Sequence, residues 1–186
     1  SSALLLAGEF DRSARLAGEV EGDRFATRAG RAQARLIHAE AALFGEDFET
    51  ARGKAILVLD EPKGALDPDA AIRAKDLYLL SSLKEADRRL AAGNPKGAAA
   101  LLEVVSLRFP DAPEAPMHIL RAMRLYAQGG DPEGAIRTGS RFLGEFPRRE
   151  EAVEAVGVVG PLLEEKDKFG LAGDLYERVA SIFPNH

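Results

Sequence analysis

The sequence predicts an all-α fold, an array of helical hairpins stacked one on the next. Three observations carry this. Phe-Pro recurs at Phe109-Pro110, Phe146-Pro147 and Phe183-Pro184, at a constant interval of 37 residues, and a fixed interval of this size is the signature of a repeat architecture. Apolar residues recur at steps of three and four, the period of a helix, and alternating runs of period two are absent. Gly-rich or polar turns punctuate the apolar stripes at regular places.

The elements follow in order. Ala3, Leu4, Leu5, Leu6 and Ala7 form a short apolar run with no charged segment before it and no cleavage pattern after it, so it is not read as a signal peptide. A first unit opens at Gly8-Glu9-Phe10 and carries one extra residue before Ala14. Phe25, Ala29, Ala32, Leu36, Ala39 and Leu43 form one stripe on a helix of roughly 20 residues. Leu79, Leu83, Ala86 and Leu90 repeat the pattern, as do Ile119, Ala122, Met123 and Tyr126.

Each long helix is expected to end at Gly45-Glu46-Asp47, Gly93-Asn94-Pro95, Gly130-Asp131-Pro132 or Asp167-Lys168-Phe169. Gly past a helix end adopts positive φ at little cost, and Pro95 and Pro132 suit a first helical turn, whose leading N–H has no partner. A shorter second helix then runs to each Phe-Pro, where proline ends it. Ala14, Ala51, Ala98, Ala135 and Ala172 mark one register, at intervals of 37, 47, 37 and 37. The long interval holds Asp60 to Asp69, which is read as an inserted loop that partly lengthens the next helix, with Asp67 or Asp69 as N-cap. The expected organisation is therefore residues 1–59 as N-terminal hairpins, 60–69 as insertion and hinge, and 70–186 as three further units. Pro161, inside Gly157-Val158-Val159-Gly160-Pro161, is expected to break its helix near Gly160.

Composition narrows the function. The 186 residues carry a net charge of −5, whereas a general nucleic-acid binder has a basic balance. There is no Cys, which removes zinc-finger, thiol-nucleophile and disulfide readings. No stretch approaches the ~18 apolar residues of a membrane span. A chain of either bacterial compartment, cytoplasm or periplasm, fits.

The turns Gly45-Glu46-Asp47-Phe48-Glu49-Thr50-Ala51, Gly93-Asn94-Pro95-Lys96-Gly97-Ala98, Gly130-Asp131-Pro132-Glu133-Gly134-Ala135 and Asp167-Lys168-Phe169-Gly170-Leu171-Ala172 resemble the tetratricopeptide repeat (TPR), with its Gly-Asp-aromatic-x-x-Ala turn and a Pro after the second helix. The period is 37 instead of 34, Pro95 and Pro132 replace the aromatic, and the Phe48 unit slips by one residue. The resemblance implies a right-handed superhelical solenoid of about five TPR-like hairpins, the first incomplete. The long period and the Asp111-Ala112-Pro113-Glu114-Ala115 loop are similar to TPR proteins of the bacterial cell envelope, which favours a periplasmic location. Phe109, Phe146 and Phe183 are expected to fill equivalent sites, so that Phe146→Ala costs ~3–5 kcal/mol. With no polar capping helix at either end, the array is expected to be a fragment of a larger protein or to self-associate.

No catalytic constellation stands out. His38, His118 and His186 are 80 and 68 residues apart, and His38, at the border of an apolar stripe, is read as a satisfied, partly buried side chain. Glu114, Glu150, Glu151, Glu154, Glu164 and Glu165 sit at helix ends and turns, where acidic first turns favour the helix N-terminus. The Gly-rich segments at 93–97 and 129–134 lack the preceding strand and the Gly-Lys-Ser/Thr ending of a phosphate loop. No enzyme activity, cofactor or metal is expected.

Basic residues are the candidate site. Arg24, Arg28, Arg31 and Arg35 form one stripe; Lys84 and Arg88 lie on the next long helix, and Arg121 and Arg124, with Gln128 beyond, on the one after. In a TPR array such first helices line the concave groove. Arg28, Arg31, Arg35, Lys84, Arg88, Arg121 and Arg124 are therefore candidates to bind an acidic segment or a C-terminal carboxylate; the alternative is a solvated face balanced by Glu19, Glu21 and Asp23. No Asn lies on a long helix, so the chaperone-tail clamp of the family is not expected. The function read here is a non-catalytic scaffold that binds a protein or peptide, with no nucleic acid and no membrane insertion. A self-assembling module, a homo-oligomer through uncapped ends, and a regulatory domain of a larger enzyme are the alternatives.

Overall fold

In a computed structural model the chain is all-helical. The structure describes residues 2–62 and 64–184, with side chains from residue 8 onward; His186 and the side chains of the Ala3–Ala7 run lie outside the described residues. Among the described residues there are nine helices and no strand: α1 Ser2–Gly22, α2 Arg28–Phe44, α3 Phe48–Leu59, α4 Pro68–Ala91, α5 Pro95–Arg108, α6 Ala115–Gln128, α7 Pro132–Glu145, α8 Glu151–Glu164 and α9 Phe169–Ile182. Two compact units are present, residues 1–85 and 86–186, and the division falls inside α4. In the first, α2 packs against both α1 and α3. In the second, each of α5 to α9 packs against its sequence neighbours, and α6 also touches α8.

One turn recurs four times. Glu46, Gly93, Gly130 and Asp167 have φ of 59°, 75°, 68° and 57°, the left-handed conformation that ends a helix. The next residue is the N-cap of the following helix. Asp47, Asn94 and Asp131 accept hydrogen bonds there from the backbone N–H of Thr50, Gly97 and Gly134, at 3.1, 2.8 and 3.0 Å, satisfying one of the unpaired donors of the first turn. Lys168 occupies the same place without a side-chain acceptor. Phe48, Pro95, Pro132 and Phe169 then open their helices, and Ala51, Ala98, Ala135 and Ala172, three residues on, are at most 1% exposed. The one-residue slip expected at Phe48 is thus absent. Gly45 is the C-cap at φ −80°, Glu46 takes the left-handed position, and Phe48 falls in register with Pro95.

The other end of the second helix is as regular. Phe109, Phe146 and Phe183 have φ/ψ of −126°/64°, −130°/48° and −124°/69°, and their N–H groups donate to Val105, Phe142 and Val179. All three rings are half-buried. Phe142, 0% exposed and tilted against Phe146 at 5.6 Å between centroids, is the larger core contributor, so the full core cost expected at Phe146 belongs to Phe142.

Several sequence expectations are corrected. α1 runs unbroken through Gly8-Glu9-Phe10; a single helical Gly costs only about 1 kcal/mol and no N-cap follows it there. Phe25 lies outside α2 and is 79% exposed, because Thr27 caps the helix by accepting from the Gly30 N–H at 3.0 Å. On α4 the buried residues are Ala74, Leu77, Tyr78, Ser81, Ser82, Glu85 and Ala86, while Leu79, Leu83 and Leu90 are half-buried. The polar members were invisible to an apolar pattern; Ser81 is satisfied by its own helix, donating to the Leu77 carbonyl at 2.6 Å. Residues 60–62 and 64–67 are irregular, and Asp67 accepts from the Asp69 N–H at 3.1 Å. The insertion also lengthens α4 to 24 residues, against 14 in α6 and α8.

α8 does not break at Pro161. Both Pro161 and Gly157, whose carbonyl loses the proline's missing N–H, are exposed, so water can satisfy that carbonyl. The neighbouring Gly160 faces inward: a Cβ there would collide with the Tyr176 ring of α9, its Cε1 carbon 2.6 Å away. Gly134 and Gly139 serve likewise on α7, beneath Tyr126 and between Met123 and Val159.

Candidate interaction surface

The seven candidate cations divide between the two units. In residues 1–85, Arg28 and Arg35 both reach Glu61, at 3.5 and 2.9 Å, and Arg35 also donates to the Leu57 carbonyl at 3.2 Å. Arg31 is half-buried and donates to the Ala26 carbonyl. The Arg stripe of α2 is therefore turned partly onto α3 and its exit; Arg24, outside the helix, lies over the Phe25 ring. Lys84 is exposed. In residues 86–186, Arg88 is exposed, Arg121 pairs with Asp87 of α4 at 2.5 Å, and Arg124 makes a two-nitrogen pair with Glu154 of α8.

These pairs follow a rule that apolar periodicity did not reveal: long helices bond to one another across 30 to 34 residues of sequence. Glu40 of α2 takes Arg73 of α4 at 2.6 Å, Asp87 takes Arg121, and Glu154 takes Arg124. Exposed pairs of this kind stabilise by about 0.2–1 kcal/mol each. Their larger effect is to leave several cations of the long helices already matched by carboxylates. The signal that could have found them is opposite charge recurring at nearly one repeat length.

A second set of carboxylates ties three helices at once. Glu21 of α1 accepts from Lys54 of α3 at 2.8 Å and meets His38 Nδ1 of α2 at 2.9 Å. His38 is thus the half-buried, satisfied histidine its position suggested. Glu103 of α5 accepts from the Tyr126 hydroxyl of α6 at 2.7 Å and from two nitrogens of Arg137 of α7 at 2.9 and 2.8 Å. The Arg137 hydrogen bonds hold Glu103 below the ordinary glutamate value of 4.5, against the upward push of burial and with help from Tyr126. Burial and the Glu103 carboxylate push Tyr126 up to about 12. Burial raises Glu21 too, but its bonds from Lys54 and His38 outweigh that and leave it low.

The Glu103 clamp sets a pH dependence. A folded-state pKa below the unfolded one gives stabilisation that is complete above about pH 4.5 and is lost as pH falls through the depressed folded value. Wild type is therefore expected to exceed Glu103→Gln in stability at pH 7, and the gap to close below pH 4. Urea unfolding of both proteins from pH 7 to pH 3 measures it; a constant gap would show that the Glu103 charge is not what ties α5 to α7.

One exposed face of the second unit is shared by α6 and α8. Met117, Arg121, Arg124 and Gln128 follow one another at steps of four, three and four along α6. Met117 is 45% exposed. Across from them, Glu154, Gly157 and Pro161 are exposed on α8. The Arg124–Glu154 pair joins the two rows. Gly157 and Pro161 leave bare backbone on this face, with a carbonyl that no Pro161 N–H can occupy. The surface thus offers an apolar thioether, two oriented guanidinium groups and a backbone acceptor.

The remaining chemistry is sparse. No group of three His, Cys, Asp or Glu that could hold a metal occurs among the described residues, and no helix there is long and apolar enough to cross a membrane. Burial lowers His118, partly opposed by Glu114. No model of a known protein family matches the chain, and no curated protein matches it.

Proposed function

We propose that the chain is a TPR-like right-handed solenoid acting as a non-catalytic scaffold, and that the α6/α8 face is where a peptide or partner domain docks. The observation that supports this best is the combination on that face of exposed Met117, the Arg121 and Arg124 guanidinium groups and the unobstructed backbone at Gly157 and Pro161. Extended partners are recognised by such side-chain and main-chain contacts together. Because Arg121 and Arg124 already hold carboxylates, a partner's acidic group would exchange with Asp87 or Glu154, so affinity rests on apolar contact as much as on charge. The recurring turn, cap and Ala register support the solenoid, since units that each bury little alone are stabilised by stacking. A bacterial cell-envelope setting goes with this reading.

Self-association is a second reading, favoured by Phe169, 62% exposed at the start of α9. The test is site-specific photo-cross-linking in the source cell, with the photoreactive residue at Met117, at Phe169 or, as control, at Leu107 on α5. Docking on the α6/α8 face predicts discrete adducts from Met117 that Leu107 does not give. Adducts of the chain with itself from Phe169 alone would favour self-assembly, and identical patterns at all three positions would remove both.

A further inference from the structure

The outer seam between α7 and α9 is built unlike the one before it. Between α5 and α7 two polar links close the edge: Glu103 takes Arg137, and Arg141 donates to the Ser106 hydroxyl at 2.9 Å and to its carbonyl at 3.1 Å. Glu103 is the ninth residue of α5 and Arg141 the tenth of α7. In the next seam the ninth residue of α7 is Ser140 and the tenth of α9 is Arg178. Arg137, the sixth residue of α7, corresponds to Asp174 of α9, and Ser106, the twelfth of α5, corresponds to Leu143 of α7, so neither polar pairing is repeated and Arg178 keeps the place of Arg141 without its serine. Neither Arg178 nor Lys168 has an ion-pair partner among the described residues. Between the helices lies an open groove of about 310 Å³, walled by Leu163, Leu171 and Leu175, with Asp174 as its one carboxylate. Leu171 is 55% exposed.

We propose that this groove binds a partner peptide presenting an apolar side chain flanked by a carboxylate. The apolar group covers Leu171 and Leu175, and the carboxylate meets Arg178 and Lys168, supplying from outside the acceptor that Ser106 supplies to Arg141 one repeat earlier. Charge selects the occupant: two cations face a single carboxylate, a local positive excess on a chain of net charge −5, and a guanidinium fork matches a carboxylate better than any neutral group. The volume is at the lower end of ligand sites, enough for a few side chains of an extended segment. The site is separate from the α6/α8 face and goes beyond the scaffold reading.

The test uses the full chain, isotope-labelled, titrated with the blocked peptide acetyl-Gly-Leu-Glu-Leu-Gly-amide and with its Glu→Gln and Glu→Lys forms. The Glu peptide is expected to shift the amide resonances of Leu171, Leu175 and Arg178 and to bind about fivefold more tightly than the Gln form. Arg178→Gln, at an exposed position, is expected to abolish that preference without altering the rest of the spectrum. Equal affinity of the three peptides, shifts confined to Met117 and its neighbours, or no binding at millimolar peptide would overturn the proposal. So would decanoate saturating the groove where the peptides do not. Cross-linking from Met117 is indifferent to Arg178→Gln, so failure here leaves the α6/α8 reading standing.

Discussion

Replacing Phe142 by Ala is expected to lower the stability of the second unit by about 3–5 kcal/mol. The ring is fully buried in the last third of α7, and its loss removes apolar burial and leaves a cavity that the neighbouring backbone cannot collapse to fill. Gly139, three residues earlier, lies so close to Met123 and Val159 that α7 has little freedom to shift. Phe146→Ala is the informative contrast: its ring is half-buried, and a cost of about 1–2 kcal/mol is expected. Urea midpoints of the two variants measure the difference. Equal losses would mean that the Phe-Pro ring and not the helix core anchors the hairpin.

Pro161→Ala is expected to act in the opposite direction. Proline in a helix interior is about 3 kcal/mol less favourable than Ala. Its stiffening of the unfolded chain returns about 0.4–1 kcal/mol of that. With Pro161 and Gly157 both exposed, no buried contact is lost, and the variant should be more stable by roughly 2 kcal/mol. If the Gly157 carbonyl serves the α6/α8 face as an acceptor, the same substitution occupies it with a new N–H and weakens partner cross-linking from Met117. A stabilised protein with undiminished cross-linking would show that this carbonyl takes no part in binding.

Much of the architecture was legible because it is written in local chemistry. Gly93 and Gly130, the caps Asn94 and Asp131, and the buried Ala51, Ala98, Ala135 and Ala172 each act within a turn of their own position, so residue identity alone places them. Glu46 and Asp167 were harder, being left-handed without Gly. What escaped the sequence depends on partners from other helices. The buried face of α4 includes Ser81 and Ser82, whose polarity masks their place in the core. The effect of Pro161 depends on which way its residue faces, which apolar periodicity around two glycines does not fix. Arg28, Arg31 and Arg35 lie on α2 while Arg24 does not, and Glu61, Asp87 and Glu154, which take up Arg28, Arg35, Arg121 and Arg124, lie 26 to 34 residues away.

Those separations have a kinetic meaning. Every side-chain bond between helices described above spans at most 35 residues, so the contacts that define the fold have low contact order. Each closure costs nearly the same entropy, since that cost grows only with the logarithm of loop length. Such chains fold rapidly and can nucleate at more than one place. A lesion at the Glu21 knot therefore should not delay the formation of the Glu103 knot, and damage to one part of the chain is expected to stay with its neighbours.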